Sequence, residues 1–127
     1  MRTLAEITLP ENERHAIEAA IAVLPARVPV SDIVLFGSKA RGDSDPESDI
    51  DLLVLTDRRL DRNEEQTMGR ALFDIGLRFD VIFGPLTVEA KEWQQGVHSV
   101  LPIHAEVERE GVRCLNRAPP PWSASDG

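Results

Sequence analysis

Asp49 and Asp51 lie one residue apart in Asp49-Ile50-Asp51-Leu52-Leu53-Val54-Leu55, a segment that otherwise has the apolar character of a buried strand. Side chains at i and i+2 of a strand project from the same side, so the two carboxylates would share one site, with Cα atoms about 6.5 to 7 Å apart. Like charges placed this way in an apolar strand cost free energy through desolvation and repulsion unless protons or a cation neutralise them. A divalent cation meets that need, and hard oxygen ligands without a paired His or Cys favour Mg²⁺ or Mn²⁺ over zinc. Asp80, inside the apolar run Phe79-Asp80-Val81-Ile82-Phe83, is expected to supply a third carboxylate if its strand lies beside the one bearing Asp49.

A second group of residues is suited to phosphate. Gly37-Ser38 follows the apolar run Ile33-Val34-Leu35-Phe36 and opens a short helical turn. Glycine there lets backbone N–H groups approach an anion, and the serine hydroxyl donates a further hydrogen bond. Lys39 and Arg41 add positive charge close by, so a triphosphate with its metal would fit between them and the aspartates. For Arg41 a surface pairing with Asp43 or Asp45 stands as the alternative to phosphate. His15, His98 and His104 show no metal-ligand spacing with a third ligand and are read as packing or surface residues, as is Trp93.

These residues need a scaffold. Thr8 and Glu11 are spaced for a capping box, and Ile17, Ile21 and Leu24 then recur at helical spacing until Pro25. Ile33–Phe36 and Asp49–Leu55 read as strands joined by a polar loop, and Leu60–Gly76 as an amphipathic helix with Met68, Leu72 and Ile75 inward. Phe79–Phe83 is predicted as a third strand closed by Gly84-Pro85. Short helices are predicted over Thr87–Gln95 and Pro102–Glu110, and an edge strand over Val112–Leu115. The expected fold class is α/β (α+β), a small mixed β-sheet flanked by helices, formed by residues 1–115; residues 116–127, with three consecutive prolines, are expected to form a loose tail.

Composition narrows the function. The 127 residues suit one domain, and 22 Asp+Glu against 14 Lys+Arg give a net charge of -8, which argues against nucleic acid as the main partner. No apolar run approaches the roughly 20 residues that span a bilayer, and no signal-type start is present, so a cytoplasmic location is expected. Cys114 is the only cysteine, which excludes an internal disulfide and a cysteine zinc site; it is read as a small buried hydrophobe.

Gly37-Ser38-Lys39-Ala40-Arg41-Gly42, followed after a polar loop by Asp49-Ile50-Asp51-Leu52-Leu53-Val54, resembles the signature of the polymerase-β-like nucleotidyltransferase superfamily, most closely its minimal nucleotidyltransferase (MNT) branch. The resemblance runs from about residue 12 to 115, and Lys39 stands where many members carry arginine. It implies that Asp49 and Asp51 bind two Mg²⁺ ions, that Asp80 helps hold the one activating an acceptor hydroxyl, and that Gly37, Ser38 and Arg41 bind the nucleotide. The implied reaction moves AMP from ATP to a hydroxyl on a partner protein, as in the antitoxin half of HEPN/MNT toxin–antitoxin pairs. Because no acceptor-binding helical domain fits in the chain, acceptor recognition is expected to come from a HEPN-type toxin or from self-association. Transfer to a small hydroxylated molecule, and a non-catalytic antitoxin acting by occlusion, are the alternatives.

Overall fold

The computed structural model describes residues 1–43 and 45–116. Along the chain these form β1 (Arg2–Thr3), a 3-10 turn (Leu4–Glu6), α1 (Glu11–Arg27), β2 (Val30–Phe36), α2 (Ser38–Arg41), β3 (Ile50–Thr56), α3 (Arg62–Phe79), β4 (Phe83–Glu89), α4 (Ala90–Gln95), a second 3-10 turn (Val97–Val100), α5 (Pro102–Glu110) and β5 (Val112–Asn116). The strands make one mixed sheet in the order β1-β5-β2-β3-β4. β3 runs antiparallel to β2 and parallel to β4, with α3 as the crossover.

Alternation along the central strands decides what covers each face. Ile50, Leu52 and Val54 of β3 join Ile33 and Leu35 of β2 in a cluster closed by Ile17 and Leu24 of α1 and by Met68, Leu72 and Ile75 of α3. The intervening Leu53 and Leu55 join Val34, Val88, Trp93 and Val107 in a smaller cluster on the opposite face, under α4 and α5. A strand covered on both sides has no polar face to present to water, which is why these strands read as continuous apolar runs. Trp93 is a buried anchor in the second cluster, its ring centroid 4.6 Å from that of His104.

The element boundaries differ from the sequence expectation in several places, each for a local reason. α1 begins at Glu11 with Pro10 as its N-cap, and the capping box belongs instead to Thr3 and Glu6 in the first 3-10 turn. Pro25 lies inside α1, only two residues before its end, so it does not stop the helix. Phe79–Phe83 is not a strand: α3 runs on to Phe79 and ends at Asp80 in the left-handed conformation (φ 58°), with the Asp80 and Val81 amides both donating to the Gly76 carbonyl. From α1, Asn12 Nδ2 donates to the Phe79 carbonyl at 2.9 Å and so caps the same helix end. The strand therefore starts only at Phe83 and takes in Thr87–Glu89, which had read as helix. β5 is also not an edge strand, because the two-residue β1 pairs along its outer side. The tail expected over 116–127 lies, beyond Asn116, outside the described residues. Among the described residues, no helix is long and apolar enough to cross a membrane.

α3 is started by chemistry legible in the sequence. Asp61 Oδ1 accepts from the Glu64 amide at 2.8 Å, Glu64 Oε1 accepts from the Asp61 amide at 3.0 Å, and Arg58 forks onto both Glu64 oxygens at 2.8 and 2.7 Å. The Arg58 guanidinium and the Asp61 amide hold the Glu64 carboxyl down to about 2. A depressed folded-state value means that this interaction supports the fold above the ordinary carboxylate range and is lost as pH falls through about 2. An NMR titration should find Glu64 at about 2 in the parent chain and back toward 4.5 in Arg58→Ala.

Candidate active site

The end of β2 and the start of β3 are adjacent, since Phe36 is opposite Asp51 in the ladder. On the other side of β3 the partner of Asp51 is Gly84. Asp51 continues the Leu53/Leu55 series, so its side chain leaves the sheet on the face of α4 and α5, at the point where it is half-exposed rather than covered. Asp49 precedes the strand and is exposed.

The two carboxylates converge over Gly84, where an added Cβ would lie 3.1 Å from Asp51 Oδ1 and 3.8 Å from Asp49 Oδ2. Burial, then the Asp49 charge, then the Glu106 charge push the Asp51 carboxyl above its ordinary value of 3.8, with Arg41 pulling the other way. Gly37 approaches the same carboxylate from β2. Its φ of +75° belongs to glycine, and a Cβ there would collide with the Asp51 side chain. Ser38 follows as the first residue of α2, a single turn, so its leading amides have no carbonyl within the helix to bind. The phosphate turn and the acid pair predicted from the sequence thus lie side by side.

Two converging carboxylates, with Gly84 as the β4 residue beside Asp51, fit a hard divalent cation. Mg²⁺ is commonly held by one or two carboxylates together with substrate phosphates. Asp80 is not brought to this pair. It is exposed at the end of α3, where it lines a largely apolar cleft of about 590 Å³ with Leu72, Phe73, Leu77 and Ile82. The register position on β4 that faces the acids is occupied by Gly84, and among the described residues no three His, Cys, Asp or Glu side chains are grouped to hold a metal.

The two cations of the motif part company. Arg41 stays at the surface, its Nε 3.2 Å from Asp43 and its Nη1 3.4 and 3.3 Å from Glu106 and Glu110 of α5. The surface pairing of Arg41 with Asp43 expected from the sequence is present. Lys39 turns inward, 3% exposed, with its ammonium 2.8 Å from Glu13 Oε2, so its charge is not presented to the site. Glu106 and Glu110 were missed in the sequence, although their i, i+4 spacing on a predicted helix was a usable signal; nothing in the sequence marked Glu13. Cys114 is only partly buried, against the first core cluster, and burial pushes its thiol up to about 11.

Two outcomes follow from the crowding around Asp51. Gly37→Ala should lose about 1–3 kcal/mol in denaturant unfolding, because alanine resists the left-handed backbone and meets the carboxylate. The raised Asp51 value means that its ionisation opposes folding at neutral pH and that this penalty lifts as pH falls through the folded-state value toward 3.8. Asp51→Asn should therefore gain on the order of 0.5 kcal/mol at pH 7, a solvent-screened amount, and little at pH 3. Calorimetry at the two pH values checks both sign and trend.

Residues 17–109 match the sequence profile of the nucleotidyltransferase domain family. Over 54 residues the chain is 37% identical to the MJ0141 protein of Methanocaldococcus jannaschii, named as a candidate protein adenylyltransferase; the match covers 42% of this chain and 54% of that protein, about half its length. A chain in the crystal structure of a toxin–antitoxin with AMP-PNP has a TM-score of 0.56 at 20% identity, covering 79% of this chain and 73% of its own. A chain in a structure of tri-AMPylated Shewanella oneidensis HEPN toxin in complex with MNT antitoxin has a TM-score of 0.52 at 18% identity, covering 82% and 72%. At such identities the structural likeness is one of fold. Since the profile takes in more than half of its length, with the Gly37-Ser38 turn and the Asp49/Asp51 pair inside it, the chain belongs to the nucleotidyltransferase domain family.

Proposed function

We propose that the chain transfers a nucleoside monophosphate, AMP from ATP, to a hydroxyl group of a partner protein, in the manner of an MNT antitoxin acting on a HEPN-type toxin. The observation that carries this reading is the contact between the Gly37 turn and the Asp51 carboxylate, with Asp49 converging from the same side. A triphosphate seated on the turn would place its α-phosphorus within reach of a cation held by the acid pair.

The acceptor oxygen would attack the α-phosphorus in line, forming one P–O bond as the bond to pyrophosphate breaks, and the hydroxyl proton would leave to a carboxylate or to water. Backbone amides of the Gly37-Ser38 turn and the Ser38 hydroxyl would hold the outer phosphates, and Arg41 would exchange its carboxylate partners for phosphate oxygens. Asp49 and Asp51 would hold Mg²⁺ or Mn²⁺, which supplies charge neutralisation at the phosphates and acidifies the acceptor hydroxyl. The two-ion form expected from the sequence needs a further acid, and Asp80 at the end of α3 does not stand beside the pair. A protein acceptor is supported by the names of the relatives, one an adenylyltransferase of proteins and one a complex with an AMPylated toxin.

The test incubates the chain and its partner with Mg²⁺ and α-labelled ATP. Label should appear on the partner, vanish with EDTA, and fall at least about a hundredfold in Asp49→Asn/Asp51→Asn. A double variant that still binds and still neutralises the partner would assign the function to occlusion, and label on a small hydroxylated molecule instead would reassign the acceptor.

A further inference from the structure

Lys39 lies within the phosphate turn, yet its side chain is one of the most buried charges among the described residues, at 2% exposure, as is that of its partner Glu13 at 5%. Its ammonium donates to Glu13 Oε2 at 2.8 Å and to the Asp45 carbonyl at 2.9 Å. One nitrogen thereby ties together α1, the turn after β2 and the connection that leads into Asp49.

Asp45 is the organising residue of that connection. Its carbonyl also accepts from the Ser48 amide at 3.1 Å, its Oδ1 accepts from the Glu47 amide at 2.9 Å and from Ser48 Oγ at 3.2 Å, and its own amide donates to Ser48 Oγ at 3.3 Å. Fixing the Asp45 carbonyl fixes the short knot of bonds immediately ahead of Asp49. The arrangement is not the most stabilising one available. Glu13 Oε1 is buried with no hydrogen-bond partner among the described residues, and a buried ion pair is often matched or bettered by apolar groups of similar volume.

We infer that Lys39 is a positioning residue, which sets the spacing between the phosphate turn and the acid pair through Glu13 and Asp45 and does not itself touch phosphate. The inference rests on the nucleotidyl-transfer reading of the site. Arginine at this position would keep the function, because its fork can engage both Glu13 oxygens, including the one now left over.

The test measures binding of Mg²⁺ with the nonhydrolysable analogue AMP-PNP by calorimetry, and amide exchange at Glu47 and Ser48 without nucleotide. Glu13→Leu/Lys39→Met removes the pair without leaving a lone buried charge. It should unfold at or above the parent temperature, bind the analogue about tenfold more weakly or worse, and exchange faster at Glu47 and Ser48. Lys39→Arg should bind within about twofold of the parent, the result expected when placement rather than contact is lost in the double variant. Glu13→Gln separates the two roles, since it loosens the hold on Lys39: a phosphate-contacting lysine would then bind nucleotide more tightly, and a positioning lysine more weakly. Parent-like binding by the double variant, or tighter binding by Glu13→Gln, overturns the inference. If the parent itself binds no nucleotide, the nucleotidyl reading falls, and unchanged exchange at Glu47 and Ser48 would separately overturn the Lys39 contact.

Discussion

Two carboxylates on one side of a strand repel each other, and the surroundings of Asp49 and Asp51 are arranged around that repulsion. On β4 the residue facing Asp51 is Gly84, and past its β2 partner Phe36 the chain brings Gly37 against the same carboxylate, so a Cβ at either glycine would crowd it. Gly37 achieves this only by adopting a backbone conformation that an L side chain resists. Burial, then the Asp49 and Glu106 charges, push the Asp51 carboxyl above its ordinary value despite Arg41, so the pair has room for further positive charge. In the proposed reading a divalent cation supplies it, and the same charge then attracts the triphosphate on the adjoining turn.

The protein's own cations relieve Asp51 only in part. Arg41 is nearby but is shared among Asp43, Glu106 and Glu110, and Lys39 is spent inside the fold against Glu13. This division has a physical logic. An arginine at the surface can trade carboxylate for phosphate oxygens at small cost because both states are hydrated, whereas a buried lysine cannot leave its partner without stranding a charge. In the proposed reading the exchangeable cation is therefore the exposed one, and the fixed cation serves geometry.

The sheet makes the site precise at modest size. Apolar cover on both faces holds β2 and β3 rigidly, and the acids sit at the strand start, where that cover gives way and water can reach. The α3 crossover brings β4 alongside β3 in parallel, which delivers Gly84 rather than a side chain to the acid pair. α5, which closes the second core cluster through Val107, also presents Glu106 and Glu110 to Arg41, so one helix serves packing and electrostatics together.

Much of this was written locally. The β2 and β3 strands, the α5 helix, the Gly37-Ser38 turn and the convergence of Asp49 and Asp51 follow from periodicity of two, from proline and glycine placement and from the anomaly of acids in an apolar run. Such features depend on neighbours a few residues away, so the sequence by itself determines them. Only the tertiary structure decided the fate of Asp80, Lys39 and Arg41. Phe79-Asp80-Val81 has the composition of a strand, but Asn12 of α1 caps the helix end there and the left-handed turn at Asp80 carries the acid to another surface. Whether a motif cation faces solvent or core depended on Glu13, Glu106 and Glu110, residues about 25 and 65 to 70 positions away along the chain. Their influence is exerted through space, by charge and packing that no local spacing encodes.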